Sequence, residues 1–240
     1  MGEKTGACGT LSNERWAALD PNNAVPWLNI ATQAYQNKDS AAQSAALQRA
    51  AAATVLNERK PDIKLLLAQK NLTSLSKYAW LSATAPLSSM AHDMTIGYAG
   101  VGQYCKNAAI LLSERQPICD NIATKLLAEN SSTTNAMMAA NIGKNIGWDP
   151  EITQAIRDEY SIGSSLMMVK AFSIFDEEPS TMFSCKNLGA YVQHINNVIT
   201  QPDRVYGREL IANSGRSMDE LIAQYAKKPT TVVNTPSAAK

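Results

Sequence analysis

The chain has almost no surplus of charge of either sign. Twenty-two Lys and Arg stand against 21 Asp and Glu, a formal net charge of +1. No overall field draws it to phosphate backbones or an anionic membrane, so nucleic acid is not an expected partner. Histidine is scarce, at His92 and His194, and the four cysteines, Cys8, Cys105, Cys119 and Cys185, form no CxxC. That leaves no credible zinc set, and no residue pattern implies a cofactor. Long apolar runs are missing as well. The stretch 63–68 is interrupted by Lys64 and falls far short of the ~20 residues of a membrane helix. The opening MGEKTGACGT lacks an n-region and an h-region, so any signal peptide is expected to have been removed or never to have existed. No run sustains period-two alternation, and no GxSxG marks a hydrolase nucleophile.

What is present is ample apolar material. With 240 residues and 45% hydrophobic content, the chain can bury a substantial core, and disorder of the whole is excluded. Charged residues make up 18%, below the usual quarter, while Ala, Asn, Ser and Thr abound; the surface is solvated but weakly charged.

Apolar positions recur at helical spacing almost throughout. Trp27, Ile30, Ala31, Ala34 and Tyr35 define a helix over about 25–37, with Pro26 in its first turn. Ser40 and Gln43 stand at capping-box spacing ahead of an Ala-rich helix through Leu47, and the short NKD link makes an antiparallel hairpin over about 20–56. Helices are expected in KLLLAQK and around LSKYAWLSA. From about Ser88 to Leu112 the spacing predicts one long helix containing Gly97, Gly100 and Gly102 as points of close packing or bending. A shorter helix carries Ile118, Ile122, Ala123, Leu126 and Leu127, and another in NSSTTNAMMAANIGKNIG ends at Gly147. Asp149 as N-cap and Pro150 at the first helical position start the next. Further helical patterns fill SSLMMVKAFSIF, CKNLGAYVQHINNVI and SMDELIAQYAKK, the last opened by Ser217 with Glu220 three residues on. The expectation is one all-α domain over 1–228, with a hairpin of helices over about 88–129, C-terminal helices over about 150–228 and a disordered tail from 229.

The stretch ALDPNNAVPWLNIATQAYQNKDSAAQSAALQRA resembles a tetratricopeptide repeat. Asp20 to Asn23 match the turn that ends one unit, Trp27 the aromatic position, Ala31 the small one, and Leu47 with Ala50 the second helix. Tyr35 stands one position late, and Asn37 to Asp39 replace the usual glycine between helices. One unit is matched where a regular solenoid needs about three. The resemblance therefore implies an irregular helical-hairpin array with a TPR-like N-terminal unit. The wider layout resembles a group of exported proteobacterial helical proteins: Cys8, the segment from Trp16 to Trp27, Cys105 to Cys119 and GWDP stand at corresponding places. That likeness implies an architecture and a compartment but carries no catalytic residues. It agrees with a Cys105–Cys119 bond, since the first lies near a helix end and the second near the next helix start, with a connection centred on Pro117. Cys8 would then pair with Cys185; the alternative is four buried free thiols.

Several residues offer chemistry. Ser74 and Lys77 satisfy Ser-x-x-Lys, and Lys4-Thr5-Gly6 spells a second motif of penicillin-binding enzymes, but in the wrong order along the chain. His92 next to Asp93 could be a polarised base, though a packing or surface role is the plainer reading for both histidines. Asp176 to Glu178 lack the spaced ligands and Gly of a calcium loop. The pairs Met137-Met138 and Met167-Met168 fill core or line a plastic binding surface. Trp16, Trp27 and Tyr35 are core residues or a partner-binding face, since paired-helix concave faces are where such arrays take peptides. The reading is of a non-catalytic, protein-binding helical domain in the bacterial envelope, periplasmic or exported, whose partner is another protein. Its most specific form is an immunity protein that neutralises a secreted toxin. The rivals are a serine-dependent envelope hydrolase using Ser74 and Lys77, and a cytosolic TPR-like scaffold with reduced cysteines.

Overall fold

Asn23 sets the entry to the fold. Its side chain, fully buried, donates to Asp20 Oδ2 (3.1 Å) and the Asn57 carbonyl (2.7 Å) and accepts from the backbone N–H of Val25 (3.2 Å) and Asn57 (3.0 Å). A buried amide this completely satisfied stabilises one geometry and costs about 1–3 kcal/mol if its partners are lost. After α1 (Asn13–Leu19), which Asp20 ends, it opens α2 (Ala24–Gln36) and pins the strand-like return after α3 (Ser40–Ala52), where Asn23 and Val55 form an isolated bridge. Because the start of α2 meets the exit of α3, the two helices are antiparallel, as their short link requires. The N-cap of α3 is Asp39, whose carboxylate accepts from Ala42 N–H at 2.9 Å. The expected Ser40 cap is thus displaced by one residue, because a carboxylate is the stronger acceptor for the orphan N–H groups and the positive end of the helix. Gln43 turns inward to donate to the Gly100 carbonyl at 2.8 Å.

The computed structural model describes residues 12–58, 96–106, 113–128, 132–173 and 185–226. Within them the protein is all-α, with no strand. After α3 come α4 (Tyr98–Tyr104), α5 (Arg115–Leu126), α6 (Thr133–Ile146), α7 (Pro150–Ser173), α8 (Cys185–Thr200), α9 (Asp203–Asn213) and α10 (Met218–Ala226). No helix of the described residues is long and apolar enough to cross a membrane. The helices expected in KLLLAQK and LSKYAWLSA, and the tail from 229, lie outside the described residues.

The long helix expected from Ser88 does not run through Gly97. Gly97 is the N-cap of α4, which ends at Cys105. The reason is competition from α2: Asn29 Oδ1 accepts the Gly97 N–H, Thr32 Oγ1 donates to the Gly97 carbonyl, and Thr32 Oγ1 also accepts the Gly100 N–H. Side chains of a neighbouring helix take the backbone groups that a continuous helix would have used. Other signals hold. Gly147 closes α6 at φ 88, Asp149 caps α7 through the Glu151 N–H at 2.8 Å, and Ser217 and Glu220 form a reciprocal capping box before α10. SSLMMVKAFS belongs to α7, a single 24-residue helix. Two helices, α1 and α9, were not expected.

The main core joins α2 to α6, built from Val25, Leu28, Leu47, Val101, Ile122, Leu126 and Ile142 with many alanines between them. Within it the Cys105 and Cys119 sulfurs lie at bonding distance, Cα atoms 5.9 Å apart, linking the end of α4 to the first turns of α5. Pro117 lies in the first turn of α5 rather than in the connection. Arg115 stacks over the Tyr104 ring at 4.6 Å on the same hairpin. A closed loop of this size stabilises by roughly 3 kcal/mol in the chain-entropy treatment, and removal often returns less. We expect Cys105→Ala with Cys119→Ala to lose roughly 2 kcal/mol in urea denaturation; a change below a few tenths would mean the thiols are not bonded.

The C-terminal helices join this core differently. Among the described residues Ala136, Ala140 and Ile156 form a second apolar cluster with Leu127 and Trp148 beside it, and Ile162, Ile195, Tyr206 and Leu221 are buried further along. Trp148 lies over Gly143 and donates from Nε1 to Asp120 at 2.7 Å. Beyond it α7 packs on α9, with Gly163 and Gly207 back to back.

Candidate functional site

Among the described residues, polar and ionisable side chains gather where α4, α5, α6, α7 and α9 meet. Asp203 and Arg204, adjacent in the first turn of α9, reach two helix ends. Asp203 accepts from the Thr133 backbone N–H at 3.0 Å and from the Thr133 hydroxyl, at the first residue of α6. Arg204 donates from Nη1 to the carbonyl of Leu127, the C-cap of α5, at 3.1 Å. An anion thus stands at a helix N-terminus and a cation at a helix C-terminus, each complementing the dipole it meets.

Glu159 of α7 completes the cluster. Its carboxylate accepts from Arg204 Nε (2.7 Å) and Nη2 (3.4 Å) and from Arg208 Nε (2.9 Å) and Nη2 (3.0 Å). Side-chain exposure is 7% for Arg204, 20% for Glu159 and 46% for Arg208. Partial burial alone would raise the Glu159 carboxyl, but the hydrogen bonds and charges of the two guanidinium groups outweigh it and hold it below its ordinary value. On the other side of Thr133, Tyr98 donates its hydroxyl to Asn135 Oδ1, and Asn135 Nδ2 donates to Glu58 at 3.2 Å. Burial, then the charge of Glu58, pushes the Tyr98 phenol well above its ordinary range. Tyr98 is therefore held protonated, as a donor, and Glu159 is held ionised between two cations. Neither is poised near neutral pH as a general acid or base requires; what this arrangement does is join helices.

Comparison with protein-family models, curated proteins and solved structures returns no match. The site is therefore read from its own geometry.

The residues singled out from sequence are scattered. Trp16 on α1 and Trp27 on α2 are partly buried against the main core, and Trp27 Nε1 donates to the Pro21 carbonyl at 3.0 Å. Tyr35 is exposed near the far end of α2, roughly 12 Å along the axis from Trp27. The inner face of α2 between them holds Asn29 and Thr32, whose partners are the backbone of residues 97–100. His194 is buried between α8 and α9, its Nδ1 3.1 Å from the Tyr206 hydroxyl. Met138 packs on the main core, whereas Met168 is exposed with Val169 beside it. Cys185 opens α8 with its side chain outside the described set, and Cys8 lies outside it too, so their pairing is not described. The same holds for Lys4 to Gly6, Ser74, Lys77, His92, Asp93 and Asp176 to Glu178.

Sequence reading missed Asp203, Arg204, Arg208 and Glu159. The first three share a helix in which four of eleven residues are charged and Gly207 sits mid-way, so no apolar stripe announced it. Pro202 followed by Asp203 is the start signal that could have found it.

Proposed function

We propose that this chain is a non-catalytic protein-binding helical domain of the bacterial envelope, periplasmic or exported, that neutralises a secreted toxin as an immunity protein does. The observation that carries the reading is the Cys105–Cys119 pair, two buried sulfurs at bonding distance in a helical hairpin. Such a bond forms and persists in oxidising compartments and is rare where thiols are kept reduced. Met168 and Val169, adjacent and exposed on α7, offer apolar surface for contact with another protein. The likeness of the N-terminal hairpin to a tetratricopeptide unit supports the same class of partner.

Two measurements test this. Mass spectrometry of unreduced, denatured protein from its native host is expected to find Cys105 linked to Cys119; four free thiols would remove the envelope assignment. Toxicity rescue with neighbouring genes, together with capture from cell envelopes, is expected to identify a toxin partner. Failure of both would end the immunity reading.

A further inference from the structure

The Cys105–Cys119 bond lies where a thiol has no path to it. Both residues are 0% exposed, and they belong to the same core cluster as Val101, Tyr104, Ile122 and Leu126. Thiol–disulfide exchange needs a thiolate in line with one of the two sulfurs, so its rate depends on access as well as on acidity. Given the bond on which the envelope reading rests, we propose that it is closed to exchange while the protein is folded: it is made before α4 seats on α2, and reductants reach it again only when α4 leaves.

The closure comes from α4. With two glycines, Gly100 and Gly102, in seven residues, it is too short and too flexible to hold a helix by itself. It forms only against α2 and α3. There Asn29, Thr32 and Gln43 bond the backbone of Gly97 and Gly100, Ser44 Oγ stands 3.3 Å from the Tyr104 hydroxyl, and Gly100 meets the α2 backbone with no room for a Cβ. Val101, Tyr104 and Cys105 are therefore buried together or freed together. The exchange itself moves two electrons. A dithiol reductant attacks one sulfur to form a mixed disulfide, then its second thiolate displaces the remaining cysteine, so that Cys105 and Cys119 end as thiols and the reductant as a disulfide. In the forward direction an oxidised disulfide carrier takes the two electrons from the two cysteine thiols while α4 is still unseated. Once folded, the protein keeps the redox state in which it folded. The bond records the compartment of folding and does not sense the present one.

Reduction kinetics of the full chain test this. Protein whose Cys105–Cys119 linkage has been verified by mass spectrometry is incubated with excess dithiothreitol at neutral pH, in buffer and in denaturing urea, quenched by alkylation and read peptide by peptide. Reduction of this bond is expected to be slower in buffer than in urea by about a hundredfold or more. Gly100→Ala, which pushes α4 off α2 without touching either sulfur, is expected to speed reduction in buffer by about tenfold or more and to leave the rate in urea unchanged. Thr32→Ala loosens the same contact more mildly and is expected to move the rate in the same direction, which covers a failure of the first variant to fold. Gly102→Ala, which faces only Met138, is expected to bring no acceleration. A smaller ratio between urea and buffer would overturn the proposal, as would a rate in buffer that neither Gly100→Ala nor Thr32→Ala raises. Absence of the linkage from native-host protein would remove the envelope reading as well, whereas a linkage present but readily reduced would overturn this proposal alone.

Discussion

Gly100→Ala is expected to destabilise the protein by on the order of 4 kcal/mol, read as a drop in the urea midpoint with an unchanged slope. A Cβ built at Gly100 would stand 2.6 Å from the Ala31 carbonyl carbon and the Thr32 nitrogen and 2.7 Å from the Ala31 oxygen. These are backbone atoms in the middle of α2, so no rotamer change relieves the overlap. Either α4 moves off α2, losing the Thr32 bond to the Gly100 N–H and the Gln43 bond to its carbonyl, or the core opens. Alanine would otherwise favour a helix by about 1 kcal/mol over glycine, so the overlap has to outweigh that gain. Two residues on, the same change has the opposite sign. At Gly102 the nearest atoms are Met138 Sδ and Cε at 3.8 and 3.9 Å, ordinary contact, and Gly102→Ala is expected to stabilise by about 0.5 kcal/mol. Equal effects at the two positions would mean that the α2–α4 crossing is wrong.

Arg204→Ala is expected to cost about 3 to 4 kcal/mol, against less than about 1 kcal/mol for Arg208→Ala. Both guanidinium groups bind the same carboxylate, so geometry alone does not separate them; burial does. Arg204 is 7% exposed and Arg208 46%, and a pair at a hydrated surface is screened and contributes little. Removing Arg204 also leaves the Leu127 carbonyl without its donor and the start of α9 without its anchor on α5. Arg204→Lys keeps the charge but offers a point donor in place of a fork, so it cannot serve Glu159 and Leu127 together, and an intermediate loss is expected. Urea denaturation of the three variants checks the order. Equal losses at 204 and 208 would show that the junction is as wet as the surface.

Much of the helix inventory was legible because its signals are local. Asp149-Pro150, Gly147 and the Ser217–Glu220 box act through backbone groups within four residues, and apolar spacing marked α2, α5 and α6. The bonded cysteines were legible for a related reason: they are 14 residues apart across one hairpin. Where the reading failed, a distant partner had intervened. Gly97 looked like the interior of a long helix until Asn29 and Thr32, 68 and 65 residues away, took its backbone groups. At Ser40 the error was local, since Asp39 competed for the same cap and won.

The amino-acid sequence alone determined that the described fold is all-α, where most of its helices begin and end, and which two cysteines could meet across one hairpin, because periodicity and capping are short-range. Only the tertiary structure decided that α4 lies across α2, that Thr133 meets Asp203 and that Leu127 meets Arg204. Those partners are 70 and 77 residues apart. A contact at such a distance leaves no trace in local spacing, because it exists only after burial of apolar surface has brought the helices together.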